Sequence, residues 1–215
     1  MVKNLSRFKS LICLNGNLPD KKFFLKAIEN GAIIVAADGG ANKLCEIGIT
    51  PDFIVGDMDS HFSEYHLSAD KIILREDQDS TDFEKSLNFI QQKQCSPVLI
   101  LGMSGGEIDH IINNVATFVR YSDSIDMWFY DIPNVGKSKI GRVAKNLDVL
   151  VGEDATVSLF SFDNGMLKTE GMVWEIDSEP FHLMNKSAAR NRAKQDRVKI
   201  STTEEKLLTI FDGEF

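Results

Sequence analysis

The sequence predicts an α/β domain with an open, mostly parallel sheet and flanking helices, followed by a smaller antiparallel β-sandwich-like domain. Three observations carry this. Through residue 131, short apolar runs alternate with stretches of helical periodicity, the order that crossover-connected strands require. Those runs lack polar alternation, as expected of strands covered on both faces. Beyond residue 131 the texture changes to short strand-like pieces separated by turns, which is how an antiparallel sheet or sandwich reads.

Taken in order, residues 10–14 form a short buried strand, followed by the turn-prone Asn15-Gly16-Asn17. A helix over 21–30 leads to a second strand at 32–37. Residues 42–47 are helical, 51–55 enter a third strand and 72–74 make a short fourth one. Phe83, Leu87 and Ile90 recur at helical spacing within 81–94. Residues 98–101 are the next strand. The helix over 107–121 has Ile108, Ile111, Ile112, Val115 and Val119 available for burial, and 126–130 closes the domain as a strand. Pro133, Asn134 and Gly136 suggest a junction, and the domains are expected to span 1–135 and 136–215. In the second part, 155–162, 172–176, 198–201 and 207–211 read as strands, while 185–199 is basic and polar.

A chain of 215 residues, 43% hydrophobic and 26% charged, can bury a substantial core. Its net charge of -8 argues against nucleic acid as the main partner. The acidity is regional: 12 basic residues face 19 acidic ones through Asp131, and 12 face 13 beyond it. Cys13, Cys45 and Cys95 are few and widely spaced, which suits a reducing compartment. No secretion signal or bilayer-length apolar run is read, so a cytoplasmic protein without a membrane partner is expected.

Four segments carry the chemistry. Asp38-Gly39-Gly40-Ala41 follows a strand, and its small residues let the backbone approach a ligand at the sheet edge where open α/β sheets bind. It lacks the spacing of a dinucleotide fingerprint. Gly56-Asp57-Met58-Asp59-Ser60 follows another strand; if extended, it points Asp57 and Asp59 to one side, where they can share a hard divalent cation and a ligand phosphate. Asp77 to Asp82 precede a helix that Ser80 or Thr81 can cap, with Asp82 and Lys85 on adjacent surface positions. Gly102, Gly105 and Gly106 join a strand to the helix that carries Asp109 and Asn113 one turn apart, a pair suited to a metal-bound water or a substrate polar group. Each segment alone also fits a tight turn, a helix cap or a solvated acidic surface. Their repetition at strand ends points to metal-assisted transfer of a phosphoryl-type group. His110 is expected to be structural, and His61, His66 and His182 are too isolated for a zinc site.

The sequence resembles the thiamin pyrophosphokinase family in ADGGANKL (37–44), PDFIVGDMDS (51–60), DQDSTDFEKSL (77–87), LGMSGGEIDHIINN (101–114) and LKTEGMVWEI (167–176). The resemblance implies pyrophosphoryl transfer from ATP to the hydroxyl of thiamine with Mg2+, giving thiamine diphosphate and AMP. It further implies a homodimer whose active sites combine the first domain of one subunit with the second domain of its partner. On that carry-over Asp57, Asp59, Asp82 and Asp109 are the catalytic acids, with Asp57, Asp59 and Asp82 holding metal. Asp38, Gly39, Gly40, Gly102, Gly105, Gly106 and Asn113 resemble nucleotide and phosphate contacts, and Gln78, Thr81, Lys85, Trp174 and Ser187 resemble substrate-facing positions.

Trp174, on a strand over 171–174, offers a ring that can stack on the pyrimidine or the cationic thiazolium of thiamine; a core or interface role is the alternative. Two departures from the family pattern stand out. Glu107 occupies a place where many members carry arginine, and the usual Ser-Asn pair is split between Ser187 and Asn191, beside Arg190, Arg192 and Lys194. Competing functions are pyrophosphoryl transfer to another hydroxymethyl acceptor, such as a pterin, and noncatalytic binding of thiamine or a nucleotide.

Overall fold

The computed structural model describes residues 4–59, 67–203 and 206–215; Ser60, His61 and His66 lie outside them. Its contacts separate two units, Leu5–Gly136 and Lys137–Phe215, the latter joined by Asn4.

The first unit contains β1 (Ser10–Cys13), α1 (Lys21–Glu29), β2 (Ile33–Ala37), α2 (Gly40–Glu46), β3 (Phe53–Gly56), β4 (Ile72–Leu74), α3 (Asp82–Lys93), β5 (Val98–Leu101), α4 (Ile108–Tyr121) and β6 (Met127–Asp131). Its strands are all parallel, in the order β6-β5-β1-β2-β3-β4. Apolar sequence explains β1 and β5, every residue of which is buried; the one polar residue, Ser10, donates its hydroxyl to the Cys95 carbonyl at 2.7 Å. The chain adds β2, β3 and β4 on one side of β1 and then crosses to place β5 on its other side. The loops leaving β1 and β5 therefore flank a topological switch point, where open α/β sheets form ligand crevices.

Helix α3 shows how local signals and packing agree. Thr81 and Glu84 form a reciprocal capping box at its start, and Gln94 ends it in the left-handed conformation with φ 54°, a place where a residue without a β-branch is tolerated. Phe83, Leu87, Phe89 and Ile90 are buried as the helix packs on β2 and β3. Burying each such side chain stabilises the fold by roughly 1.5–3 kcal/mol, so Leu87→Ala is the kind of single change that would loosen it.

Helix α4 corrects an expectation. Its buried residues are Thr117, Phe118 and Val119, whereas Ile108 and Ile112 are 69% and 63% exposed. The apolar periodicity is real, but over the first two turns it does not face the core of this unit.

The second unit contains β7 (Lys139–Val143), β8 (Asn146–Leu150), β9 (Thr156–Ser161), β10 (Gly165–Glu170), β11 (Asp177–Phe181), β12 (Ala188–Arg192), β13 (Arg197–Thr202) and β14 (Leu207–Asp212). They form two antiparallel arrays, β12-β9-β14-β7 and β11-β10-β13-β8. Alternate residues of β8 and β13 are buried, the period of a sheet with one covered face.

The strand expected over 172–176 is absent. Gly171 turns the chain with φ 89°, and the Gly171 and Met172 N–H groups donate to the Glu175 carboxylate. A side chain thus takes the donors that a neighbouring strand would otherwise satisfy.

Candidate functional site

Strands β2 and β3 are parallel neighbours with Ala37 opposite Val55, so the residues that follow them emerge together. The Asp38 N–H donates to the Val55 carbonyl at 2.9 Å, which draws the two exits close. Carboxylate oxygens of Asp38, Asp57 and Asp59 lie within 4.8 Å of one another. Asp38 is buried, Asp57 half-buried and Asp59 exposed, so the cluster opens from the sheet edge toward solvent.

The gathering of Asp57 and Asp59 arises differently from the extended segment expected. Met58 between them is left-handed, with φ 63°, and Asp57 Oδ1 accepts the Asp59 N–H at 3.4 Å. A tight turn, rather than pleated alternation, brings the two acids together. Gly56 is required by proximity: a Cβ there would lie 2.8 Å from Asp38 Cβ and 3.1 Å from Asp82 Oδ1.

Among the described residues, the tight carboxylate group contains Asp38 with Asp57 and Asp59, while Asp82 adjoins it through Lys85. The Lys85 ammonium, only 4% exposed, stands 3.1 Å from Asp82 and 3.6 Å from Asp57. A buried cation among acids offsets their mutual repulsion. Burial holds the Asp82 carboxyl above its ordinary value against the opposing pull of Lys85. Asp57 is held below its own, first by a 3.1 Å hydrogen bond from Gln78 and then by the Asp59 N–H and Lys85. Lys85 remains above its ordinary value, because its two acids outweigh its desolvation. Thr81 is engaged in the cap of α3, and Asp77 accepts from Asp79 N–H at 2.9 Å and from Ser80 Oγ. A cleft of about 290 Å³ extends past Lys85 between Arg75, Asp77 and the Asn88 and Gln91 amides.

The glycine loops meet at the switch point. Leu14 N–H donates to Leu101 O at 2.9 Å and Asn17 N–H to Ser104 O at 2.8 Å, tying the exits of β1 and β5 together. Gly16 permits that approach, since a Cβ there would sit 2.0 Å from Ser104 O. Gly102 and Gly105 have φ of 75° and 101°, conformations that side chains resist. Gly40 faces the Cys13 carbonyl, 2.1 Å from where its Cβ would be, Gly39 lies against Asn15, and Gly106 is open. Asp131, at the end of β6, accepts the Ser104 N–H at 3.0 Å and its hydroxyl at 2.9 Å. Burial pushes the Asp131 carboxyl up against those two donors. Asp109 and Asn113 are exposed on α4, and Asp109 accepts the His110 backbone N–H at 2.8 Å. Glu107 precedes α4 without a side-chain capping bond.

Sequence reasoning passed over Gly16, Asn17, Ser104 and Asp131 as parts of this loop pair. The available signal was the position of Asn15-Gly16-Asn17 directly after the first strand.

In the second unit, Trp174 is 58% exposed on the loop between β10 and β11. Asn191, buried on β12, receives the Trp174 N–H at 3.3 Å and donates to its carbonyl at 2.7 Å. The Arg192 guanidinium lies 5.7 Å from the indole centroid. Ser187 is exposed just before β12.

A sequence model described as the thiamin pyrophosphokinase catalytic domain matches residues 24–129, the stretch that contains the acidic cluster, Gly39-Gly40 and the 102–106 loop. The chain is 24% identical over 233 residues to thiamine pyrophosphokinase 1 of Oryza sativa subsp. japonica, covering 94% of this chain and 86% of that protein. It is 28% identical over 86 residues to thiamine pyrophosphokinase of Bacillus subtilis, covering 38% and 40%. Its fold matches thiamin pyrophosphokinase from Candida albicans with a TM-score of 0.75 at 17% identity, over 97% of this chain and 90% of that one. The Bacillus subtilis structure gives the same TM-score and identity over 96% and 100%. With the first four motifs falling at strand ends of one sheet, the matched family region and the shared fold agree: residues 24–129 carry the catalytic domain of the thiamin pyrophosphokinase family.

Proposed function

We propose that the chain transfers the terminal pyrophosphoryl group of ATP to the hydroxyl of thiamine, giving thiamine diphosphate and AMP. Within this family, the observation that carries the reading is the convergence of Asp38, Asp57 and Asp59 at the exits of β2 and β3. The thiamine hydroxyl oxygen forms a bond to the β-phosphorus, the bond from that phosphorus to the oxygen bridging the α-phosphorus breaks, and AMP leaves. A carboxylate of the cluster takes the hydroxyl proton.

Three acceptor-only carboxylates at this separation suit a hard divalent cation such as Mg2+. Asp57 and Asp59, with Asp38 and Asp82 beside them, would hold it, and when bound it supplies the positive charge that lets a triphosphate approach these acids. The 102–106 loop and Gly39-Gly40 leave backbone close to the crevice for nucleotide and phosphate, with Asp109 and Asn113 on the helix that follows. Gln78, Lys85 and Thr81 border the acidic cluster on the acceptor side. Trp174 and Ser187 belong to the thiamine surface, and orientation of the two substrates supplies much of the rate.

The working unit in this reading is a homodimer, its sites formed by the first unit of one copy and the second unit of the other. Support comes from Ile108 and Ile112, exposed one turn apart on α4, which a second copy would cover. Cys13, Cys45 and Cys95 form no disulfide, which fits a reducing, cytoplasmic setting. Among the described residues no helix is long and apolar enough to cross a membrane.

The test is direct. Purified protein with ATP, Mg2+ and thiamine should release AMP and thiamine diphosphate in equal amounts. A hydroxymethyl-pterin in place of thiamine should release none. AMP formation with the pterin alone would move the acceptor, and binding of thiamine without turnover in Mg2+ or Mn2+ would make the protein a binding module.

A further inference from the structure

We infer that Glu175 is a positioning residue for thiamine use: its carboxylate, together with the Asn191 amide, fixes the loop so that the Trp174 indole is held out for the flat rings of the substrate. The inference rests on the proposed function and adds to it a residue next to Trp174 whose work is done through the backbone.

The loop has almost no strand pairing of its own. Between β10 and β11 it makes a single isolated bridge, from Met172 to Ala193, flanked by main-chain bonds from Val173 N–H to Arg192 O and from Lys194 N–H to Gly171 O, both 2.8 Å. Side chains hold the remaining groups. Glu175 Oε1 accepts from Gly171 N–H at 2.8 Å and Met172 N–H at 2.9 Å, and Oε2 accepts the Thr169 hydroxyl at 2.7 Å. The Thr169 oxygen in turn accepts the Ile176 N–H at 2.9 Å. On the other side of the tryptophan, Asn191 holds both the N–H and the carbonyl of Trp174. The backbone is thus fixed before, at and after the indole.

Such a frame is unusual for an aromatic residue that packs a core, because here the main chain is held while the ring stays exposed. Arg192 stands over one face of that ring, 5.7 Å from its centroid, leaving the opposite face as the stacking surface. A preformed aromatic surface spares the ordering cost that a mobile loop would incur at binding. Loss of the frame is therefore expected in the thiamine KM, with the ATP side unaffected.

The experiment compares wild type, Glu175→Ala, Glu175→Gln, Trp174→Ala and the Trp174→Ala/Glu175→Ala double variant. Steady-state kinetics are measured for both substrates, with indole anisotropy recorded in a Trp128→Phe background so that Trp174 is the sole reporter. Glu175→Ala is expected to raise the thiamine KM about tenfold with the ATP KM within about twofold, as lost preorganisation predicts, and to lower the Trp174 anisotropy. Glu175→Gln, which keeps one acceptor oxygen for the two backbone donors, should fall between wild type and Glu175→Ala on both readouts. In the Trp174→Ala background Glu175→Ala should add nothing, because the two act as one unit.

Wild-type thiamine KM and unchanged anisotropy in Glu175→Ala would overturn the inference, as would full additivity in the double variant. A thiamine KM left unchanged by Trp174→Ala would instead remove Trp174 from the substrate surface, which is a failure of the functional reading. Anisotropy needs no turnover, and if Glu175→Ala does not fold, an unaltered thiamine KM and anisotropy in Glu175→Gln would count against the role.

Discussion

Replacing Lys85 with methionine keeps an unbranched side chain in the buried slot of α3 and removes the charge among the acids. The ammonium is 4% exposed and 3.1 Å from Asp82. At an effective dielectric constant of about 20 that separation is worth roughly 5 kcal/mol of attraction before desolvation is subtracted. Breaking a fully buried pair costs about 3–5 kcal/mol. The Asp82 side chain is 32% exposed, so water recovers part of that loss and a net destabilisation of about 2 kcal/mol is expected. For a chain of this size it corresponds to a fall in Tm of about 4–8 °C. The second consequence has the opposite sign. Without its internal cation the cluster attracts Mg2+ more strongly, so saturating Mg2+ should raise the Tm of Lys85→Met by more than it raises that of wild type. Differential scanning calorimetry in EDTA and in Mg2+ measures both. A Tm in EDTA within about 1 °C of wild type, or an equal Mg2+ increment, would refute the role given to Lys85.

Asp57→Asn should reduce Mg2+-dependent turnover by about 100-fold or more while lowering the Tm in EDTA only slightly, since Gln78, the Asp59 N–H and Lys85 favour the ionised carboxylate at a solvated site; an unchanged Mg2+ profile would count against it. Gly16→Ala places a Cβ 2.0 Å from Ser104 O and 2.3 Å from Gly102 O. Relieving that overlap should cost about 1–3 kcal/mol and raise the ATP KM more than the thiamine KM, which substrate titrations will show. Asp131 supplies a pH dependence: burial raises its carboxyl in the folded state, so the folded chain binds that proton more tightly than the unfolded chain does. Stability from this group therefore increases as pH falls from neutral through the raised value toward the ordinary carboxylate range. Melting curves of wild type and Asp131→Asn should shift in favour of wild type between neutral pH and about pH 4, the ordinary carboxylate range, and a constant difference would refute the assignment.

Much of the first unit was legible because its signals are local. Unalternated apolar runs marked β1, β2, β3, β5 and β6, and the cap and periodicity marked α3. The second unit was harder. Strands such as β11, with four of its five residues exposed, carry no apolar pattern, and their pairing is set by distant partners. The same limit explains the apolar stripe on α4: periodicity announces a face and says nothing of which surface will cover it. At Trp174 a β-favouring sequence was overruled by Glu175, three and four residues from the N–H groups it captures. That contact depends on the left-handed turn at Gly171, which spacing alone does not reveal.

The acidic excess of the first 131 residues also resolves once each carboxylate is asked what it accepts. Asp20 takes the Phe23 N–H and caps α1, Asp52 takes the Ile34 N–H at 2.8 Å, and Asp77 takes the Asp79 N–H. These acids close turns and strand starts, work that an asparagine or serine often does equally well. Asp38, Asp57 and Asp59 instead turn oxygens toward one another, an arrangement that disfavours three negative charges unless a cation joins them. Asp57 does both, accepting the Asp59 N–H with one oxygen and the Gln78 amide with the other. It thus links the turn geometry to the cluster. The chemistry is specified less by the number of aspartates than by the left-handed Met58 turn, which redirects one local hydrogen bond so that two neighbouring acids share a single space.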